Sequence, residues 1–279
     1  MSAGYHRPSD LGEALDLLAS REMAVIAGGT DWFPSRGRAP VTCDLLDVTR
    51  LADLRGIDWT ARDTLRIGAA MTWTDIARAD LPTAFDGLRA AAREVGGVQI
   101  QNAGSVAGNL CNASPAADGV PPLLTLEAEV EIAGAGGTRR LPLAEFVTGP
   151  RRTALAPGEL VVALHVPRPP DHARGAFDKV GARRYLVISI AMVAVVAGRD
   201  GSGRIDHARV AVGACSPVAC RLPALERDLI GQRPAEVEVS AAHLAPLAPI
   251  DDVRADAAYR AEAVPRQVAR ALRRAVGDG

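Results

Sequence analysis

Apolar and polar positions near the start of the chain repeat first with the period of a helix and then with that of a strand. Leucines recur on one face of Asp10–Ala19, which predicts an amphipathic helix with Asp10 as its N-cap and Glu13 completing a capping box. The apolar run Ala24–Ala27 predicts a short buried strand, and Cys43–Val48 predicts another. Together these segments predict a strand–turn–helix–strand unit of α/β character.

The pattern from Gly56 to about Val166 predicts a second unit that mixes strands with helices. Strands are predicted at Thr64–Ile67, Ala128–Ile132, Arg139–Leu141 and Leu160–Val166, and helices at Thr74–Ala79, Gly87–Val95 and Pro121–Leu126. The stretch Gly96–Ala117 is rich in Gly, Asn and Ser and has no periodicity, so it predicts a long irregular loop. Such a loop in a compact domain is usually functional, because its backbone polar groups need partners outside a ladder.

A proline-rich segment, Pro167–Pro170, predicts a boundary between two domains. We expect a first domain over 1–170, with parts at about 1–55 and 56–170, and a C-terminal domain over 171–279. In the latter, strands are predicted at Ala176–Val180, Ile190–Ala197 and His207–Ala214, and helices at Leu222–Ile230, Glu236–Ala245 and Pro265–Val276. The predicted fold is therefore α+β with α/β parts, ending in a small α+β domain with an antiparallel sheet.

Composition narrows the classes of function. Hydrophobic residues make up 48% and charged residues 23% of the chain, as in ordinary soluble proteins. A net charge of -1 and 4% aromatic residues argue against a nucleic-acid partner. No signal-peptide pattern opens the chain, and the longest apolar run, Tyr185–Ala197, is too short to span a bilayer, so we expect a cytoplasmic protein without membrane contact. Its 4 cysteines and 5 histidines lack metal-ligand spacing, so no metal bound by this chain is expected.

The first candidate ligand loop is Ala27-Gly28-Gly29-Thr30-Asp31, between a predicted strand and a predicted helix. Glycines let the backbone approach a ligand closely, and N–H groups at the start of a helix suit a pyrophosphate. The dinucleotide pattern GxGxxG is absent. Taken alone, the loop is explained better as an ordinary strand–helix turn capped by Asp31.

The second candidate loop, Gln99–Asp118, combines small residues and side-chain amides with a single carboxylate, Asp118. Amides and hydroxyls suit phosphate or ribityl oxygens, and Asp118 can accept a hydrogen bond from a hydroxyl, so this set suits a phosphorylated, polyhydroxylated ligand. A structural loop of Asx and Ser turns is the alternative. The length of the loop and its density of small polar residues favour the ligand.

These two loops, AGGTD and QNAGSVAGNLCNASPAAD, resemble those of the FAD-binding medium subunits of the xanthine dehydrogenase and carbon monoxide dehydrogenase family, the molybdenum hydroxylases. The resemblance extends over about Arg7–Ala275 through PPLLTLEAEVEI, TGPRRTALAPGELV, FDKVGARRYLVISIAMVA and DVRADAAYRAEAV. It implies a vanillyl-alcohol-oxidase-type FAD domain in two parts, followed by a small α+β domain.

The resemblance implies FAD contacts in both loops. The first loop, with its glycines and Thr30 at the pyrophosphate, would consist of Val25, Ile26, Ala27, Gly28, Gly29, Thr30, Asp31 and Trp32. The second would consist of Gly104, Ser105, Val106, Ala107, Gly108, Asn109 and Asn112, with Asp118 holding a sugar-chain hydroxyl. The family usually has two adjacent glycines where this chain has Ala107 and Gly108. The extra methyl would disfavour a positive φ at Ala107 and so weaken FAD binding if the loop needs that conformation.

Further contacts are implied outside the loops. Val95 and Val162 would line the cofactor pocket. Lys179 matches a lysine near the flavin, and it is the only lysine in a chain whose other basic side chains are arginines. A solvated surface lysine is the alternative, although an ammonium is not freely replaced by a guanidinium. Tyr185 and Leu186 would lie against the isoalloxazine, the alternative for Tyr185 being packing in the core.

The resemblance implies an oxidoreductase that works as an electron-transfer subunit of a heteromeric enzyme. Substrate would be hydroxylated at a molybdenum centre in a large molybdopterin-containing subunit, and electrons would pass through the [2Fe–2S] clusters of a small subunit to this FAD. An external acceptor such as NAD, a quinone or dioxygen would take them. The chain has neither a cluster-ligating cysteine set nor a molybdopterin domain, so both partners would be separate polypeptides. No catalytic acid, base or nucleophile is assigned.

Two other functions stay open at this point. A self-contained flavin oxidase or reductase of the same fold would need its own substrate pocket and would be active without partners. A nucleotide-binding module without a redox role would lack the yellow colour and visible absorbance of a flavin.

Overall fold

The computed structural model describes residues 3–61 and 63–277. Its strands are β1 Tyr5–His6, β2 Met23–Ile26, β3 Asp44–Asp47, β4 Ile57–Trp59, β5 Thr64–Gly68, β6 Glu129–Gly134, β7 Gly137–Pro142, β8 Val147–Gly149, β9 Arg152–Thr153, β10 Leu160–Pro167, β11 Arg174–Val180, β12 Ala191–Arg199, β13 Ile205–Gly213 and β14 Cys220–Arg221. Its α-helices are α1 Leu11–Ser20, α2 Trp32–Arg36, α3 Trp73–Arg78, α4 Asp86–Glu94, α5 Val98–Ala103, α6 Val106–Asn112, α7 Val120–Thr125, α8 Leu143–Phe146, α9 Pro223–Leu229 and α10 Ala257–Val276. The strands and helices confirm the predicted mixture of α/β and α+β parts.

The N-terminal part is a three-stranded parallel sheet in the order β1-β3-β2, and α1 connects β1 to β2 along the chain. The Asp10 carboxylate caps α1 by accepting from the Glu13 N–H at 2.9 Å, as predicted. The Glu13 carboxylate accepts from the Ser9 N–H at 2.7 Å and not from that of Asp10, so the predicted capping box is displaced by one residue. In α2, Asp31 occupies the N-cap position but makes no side-chain capping bond, so the expected cap is wrong.

A five-stranded antiparallel sheet in the order β4-β5-β10-β6-β7 forms the centre of the molecule. Its middle strand, β10, is buried from Leu160 to Val166, as the apolar run predicts. The predicted irregular loop Gly96–Ala117 is wrong, since it contains α5 and α6. Both helices are too short, at 6 and 7 residues, for a helical apolar period to stand out in the sequence. α5 buries none of its residues, whereas α6 buries Val106, Ala107 and Leu110.

The C-terminal part is a four-stranded antiparallel sheet in the order β11-β12-β13-β14, crossed by α10. Apolar side chains of α10, including Val264, Val268 and Leu272, are fully or almost fully buried against this sheet. The helix starts at Ala257, earlier than predicted, and contains Pro265. The predicted helix Glu236–Ala245 is wrong: two 3₁₀ turns, Pro234–Glu236 and Ala241–Leu244, flank a non-helical segment whose β-branched valines favour extended backbone.

Close backbone contact joins the central and C-terminal parts where α4 packs on β11. A Cβ added to Gly175 of β11 would lie 2.2 Å from the carbonyl oxygen of Ala84 and 2.7 Å from the nitrogen of Gly87. Only glycine fits such an approach. None of the helices within the described ranges is long and apolar enough to cross a membrane.

We predict that Gly175→Ala lowers the free energy of unfolding by about 1–3 kcal/mol, because the new methyl forces β11 away from α4. Thermal unfolding followed by circular dichroism measures the effect. Gly201→Ala is the control, since a Cβ there meets nothing within 4 Å. Equal melting temperatures for the two variants would contradict the close packing at Gly175.

Candidate functional site

The two candidate loops touch each other through their backbones. A Cβ added to Gly28, just after β2, would lie 1.9 Å from the carbonyl oxygen of Ala103 and 3.0 Å from the nitrogen of Gly104. No side chain larger than hydrogen fits at this position. At the next residue, Gly29 has a φ of 66°, a left-handed conformation that favours glycine. The sequence Gly28–Gly29 is therefore required both by the contact and by the turn.

The second loop is held against α3 by backbone hydrogen bonds. The N–H of Trp73 donates to the carbonyl of Gly104 at 3.1 Å, and the N–H of Val106 donates to the carbonyl of Met71 at 2.9 Å. Trp73 is 1% exposed, so the first of these bonds is made next to a large buried side chain. These contacts fix where α5 ends and α6 begins.

Side chains at the start of α6 complete this arrangement. Ser105 is the N-cap of α6, and its Oγ accepts from the Gly108 N–H at 3.1 Å. The Oδ1 of Asn109 accepts from the N–H of Gly119 at 3.2 Å. Ala107 lies inside α6 and is not among the residues with positive φ, so the strain expected at its methyl is wrong. The methyl is instead buried in the apolar core.

One cleft brings most of the predicted contact residues together. Of those residues, the ones that line it are Val25, Ile26, Ala27, Gly28, Gly29, Thr30, Asp31, Trp32, Val95, Gly104, Ser105, Gly108, Asn109 and Asn112. Sequence reasoning missed four further lining residues, Ser35, Trp73, Ile100 and Cys111. A prediction of α6 as a helix would have placed Ser105, Gly108, Asn109 and Asn112 on one helical face, because they are spaced three and four residues apart.

Backbone N–H groups are among the donors of the residues that line the cleft. Within the described residues, no protein acceptor takes the N–H of Gly28, Gly29, Thr30 or Ser105. Among the side chains that line the cleft there is no lysine or arginine. An anionic group placed here would therefore be bound by backbone dipoles and not by a cationic side chain.

An apolar recess continues from the cleft between the first loop and β10. The two cavities share Val25, Ala27, Ser105, Gly108 and Cys111 in their walls. Most of the remaining wall of the recess is aliphatic, including Val48, Leu54, Ala69, Leu155, Leu160 and Val161. Such a surface suits a flat ring system of low polarity.

A buried ion pair between Asp118 and Lys179 lies next to this cleft. Lys179 Nζ is 2.7 Å from Asp118 Oδ2, and the side chains are 6% and 10% exposed, respectively. Ser189 Oγ donates to Asp118 Oδ1 at 2.6 Å, and Lys179 Nζ also donates to the carbonyl of Glu94 at 3.2 Å. Burial raises the pKa of Asp118, while the Lys179 ammonium and the Ser189 hydroxyl act in the opposite direction.

The pair changes the interpretation of both residues. Lys179 is not a surface lysine, since its ammonium is enclosed by two protein acceptors. Asp118 does not line the cleft, and each of its oxygens already accepts a hydrogen bond. The predicted bond from a sugar-chain hydroxyl would be a third on this carboxylate, which has acceptor capacity for it. The pair is linked to the cleft through neighbouring residues. Lys179 binds the carbonyl of Glu94, which precedes the lining residue Val95. Asp118 precedes Gly119, whose N–H donates to the lining residue Asn109.

Other predicted residues lie away from the cleft lining. Val106 and Val162 are buried in the core, at 0% and 4% exposure. Tyr185 and Leu186 are 63% and 59% exposed, so packing of Tyr185 in the core is wrong. Leu186 lies beside the start of α5, where its Cδ2 is 3.3 Å from the position of a Cβ added to Gly97. The structure therefore places these two side chains on the surface near α5.

Two family models match the chain. Residues 1–169 match the FAD binding domain in molybdopterin dehydrogenase. Residues 176–275 match the CO dehydrogenase flavoprotein C-terminal domain.

Relatives and solved structures agree with these matches. The chain is 35% identical over 227 residues to a putative xanthine dehydrogenase FAD-binding subunit of Escherichia coli K12, covering 78% of this chain and 76% of the relative. It is 30% identical over 279 residues to the carbon monoxide dehydrogenase medium chain of Hydrogenophaga pseudoflava, covering 96% and 95%. A chain of the reconstituted CO dehydrogenase from Oligotropha carboxidovorans superposes with a TM-score of 0.90 at 26% identity, covering 100% of this chain and 99% of that one.

We predict that Lys179→Gln destabilises the fold by about 3–5 kcal/mol near neutral pH, because it leaves the Asp118 carboxylate buried without its cation. Loss of the ammonium raises the pKa of Asp118 further. The loss of stability relative to wild type is then smallest in acid, where Asp118 is protonated in both proteins, and grows as the pH rises.

Thermal unfolding at pH 5 and pH 8 measures this dependence. Arg266→Gln is the control, since it breaks an ion pair whose side chains are 76% and 68% exposed and should change little at either pH. A loss of stability in Lys179→Gln that is equal at both pH values would contradict the assignment to Asp118.

Proposed function

This chain belongs to the FAD-binding medium subunits of the xanthine dehydrogenase and carbon monoxide dehydrogenase family of molybdenum hydroxylases, and we propose that it passes electrons from iron–sulfur clusters of a partner subunit to an external acceptor. Its cofactor is FAD, and it is an oxidoreductase component of a multi-subunit enzyme.

One observation supports the location of FAD above all: two loops that touch at Gly28 present N–H groups without protein acceptors to the same cleft. We place the pyrophosphate there, against Gly28, Gly29 and Thr30 of the first loop and the start of α6 in the second. Two negative phosphates fit a site whose backbone N–H groups have no protein acceptor. The residues present therefore fit the cofactor.

The two ring systems of FAD need apolar surface on either side of the pyrophosphate. The recess beneath Val25 and Ala27 offers such a surface at one end of the cleft. Val95 and Ile100 line another part of the cleft, close to the segment that carries Leu186. In the proposal, Tyr185 and Leu186 lie against the isoalloxazine, and their exposure supports a role in contacting a group other than the core.

The chain itself binds and orients the cofactor. When bound, FAD supplies the electron-transfer chemistry, and the protein sets its position and its electrostatic environment. Asp31 and Cys111 are the titratable side chains in the lining of the cleft, so we assign no residue of this chain as catalytic acid, base or nucleophile. Lys179 and Asp118 act through their neighbours by fixing the backbone at Glu94 and Gly119.

We propose separate partner chains for the remaining redox centres. A small subunit would hold the [2Fe–2S] clusters and a large subunit the molybdopterin, while NAD, a quinone or dioxygen would accept the electrons. Within the described residues, no group of three or more His, Cys, Asp or Glu side chains could hold a metal ion.

The match to the first family model ends at residue 169, and the match to the second begins at residue 176. This gap supports the proposed domain boundary near Pro167–Pro170.

We predict that Gly28→Ala reduces the FAD content of the purified chain at least about tenfold, because the methyl separates the two loops that would hold the pyrophosphate. Absorbance near flavin wavelengths, divided by protein concentration, measures the content. Gly136→Ala is the control, since a Cβ there meets nothing within 4 Å. Normal FAD content in a folded Gly28→Ala protein would refute the assigned site.

We predict that the affinity-tagged chain, purified from its native host, brings down a [2Fe–2S] protein and a molybdenum-containing protein. Metal analysis and the visible spectrum of the complex test this outcome. A yellow chain that turns over substrate alone would favour a self-contained flavin oxidase or reductase. A colourless chain that binds nucleotides would favour a module without a redox role.

A further inference from the structure

Residues 181–190 join β11 to β12 and form a protruding segment that we call the Tyr185 loop. It exposes three large apolar side chains, Tyr185, Leu186 and Ile188, each at 59% or more. At its base, the N–H of Ile190 donates to the carbonyl of Val180 at 2.8 Å, which closes the loop as a continuation of the sheet. The loop buries few of its own side chains, so contacts at its ends decide how well its position is defined.

A cluster of charged residues from the segment before α10 and from the first turn of α10 binds one end of this loop. Arg260, 1% exposed, donates through Nη1 to the carbonyls of Ile190 at 2.7 Å and Ala214 at 2.6 Å, and through Nη2 to Asp252 Oδ1 at 2.7 Å. Arg254 donates through Nε to Asp252 Oδ2 at 3.0 Å and through Nη1 to the carbonyl of Ser189 at 3.1 Å. Two consecutive carbonyls at the end of the Tyr185 loop are therefore held by two arginines that share one carboxylate.

The arginines differ in what they hold. Arg260 ties together the starts of α10 and β12 and the end of β13, so it belongs to the packing of the domain. Arg254 contacts Asp252 in its own segment and, outside that segment, the carbonyl of Ser189. Its side chain is 29% exposed, so replacing it does not open a large cavity in the core.

Ser189 connects this cluster to the proposed cofactor site. While its carbonyl accepts from Arg254, its hydroxyl donates to Asp118, which pairs with Lys179. Lys179 in turn donates to Glu94, next to the cleft residue Val95. Hydrogen bonds joined through the covalent frame of Ser189 therefore link the segment before α10 to Glu94, the residue that precedes Val95 in the wall of the cleft.

We propose that Arg254 is a positioning residue that fixes the end of the Tyr185 loop and, through Ser189, the Asp118–Lys179 pair beside the FAD. The link to FAD rests on the proposed function, whereas the restraint on the loop does not. Arg254 does not line the cleft, and the one atom of the Tyr185 loop to which it donates a hydrogen bond, within the described residues, is the carbonyl oxygen of Ser189. A guanidinium suits this role because it can donate to two acceptors in fixed directions at once.

Limited trypsin digestion of the full chain without FAD tests the restraint on the loop. Arg183 and Arg184 lie within it and are exposed, so cleavage after them reports how often the loop opens. We expect Arg254→Gln to be cut there about tenfold faster than wild type, because the carbonyl of Ser189 loses a charged donor. Mass spectrometry of the early fragments locates the cut.

Arg221→Gln is the matched control. Arg221 is 26% exposed and binds the carboxylate of Glu226 at 2.6 Å in the same domain, and it makes no contact with the Tyr185 loop. The Arg221→Gln variant should therefore be cleaved after Arg183 and Arg184 at the same rate as wild type. Equal cleavage in wild type and Arg254→Gln would overturn the proposal. If Arg254→Gln does not fold, Arg254→Lys replaces it and should also be cut faster, since an ammonium cannot reproduce the two-acceptor geometry.

The rate of FAD dissociation, followed by flavin fluorescence after dilution, tests the link to the cofactor. We expect an increase of about tenfold in Arg254→Gln and none in Arg221→Gln. Faster cleavage of the loop with unchanged FAD dissociation would overturn the positioning role. A wild-type chain that fails to bind FAD would refute the proposed function, while the digestion would still report on the restraint.

Discussion

The backbone contact between Gly28 and the Ala103–Gly104 peptide is the constraint on which the site depends. It joins the end of β2 in the parallel sheet to the second loop, which backbone hydrogen bonds with Met71 and Trp73 hold in place. The absence of a Cβ lets the loops touch, and their touching places two sets of N–H groups without protein acceptors in one cleft. Neither loop offers this alone, which is why the first loop, taken in isolation, was explained better as an ordinary capped turn.

A second constraint is the buried pair of Asp118 and Lys179. Burying two charges is costly, and their attraction compensates only when other hydrogen bonds satisfy the remaining donors and acceptors. Ser189 and the carbonyl of Glu94 provide those bonds here. The pair consequently ties β11 and the Tyr185 loop to α4 and to the chain just before α7, so that the C-terminal sheet contributes to the surroundings of the cleft.

Much of the fold follows from periodicity, and the errors have identifiable causes. Buried strands such as β10 and β12 are nearly continuous apolar runs, and their bounds were predicted to within one or two residues. The helices α5 and α6 were missed because they have only 6 and 7 residues and are stabilised by contacts with α3 and the first loop. The predicted helix Glu236–Ala245 was wrong because its valines favour extended backbone between two 3₁₀ turns.

The sequence by itself determined the family, the cofactor and the two loops, because glycines, amides and small residues at fixed spacing are local features of the chain. It also singled out Lys179 as the only lysine. Only the tertiary structure decided that Lys179 is buried against Asp118, that Ala107 is helical and unstrained, and that Tyr185 is exposed. These outcomes depend on contacts between residues far apart in the chain, such as Asp118, Lys179 and Ser189, and on the helical geometry of α6, which no local pattern encodes.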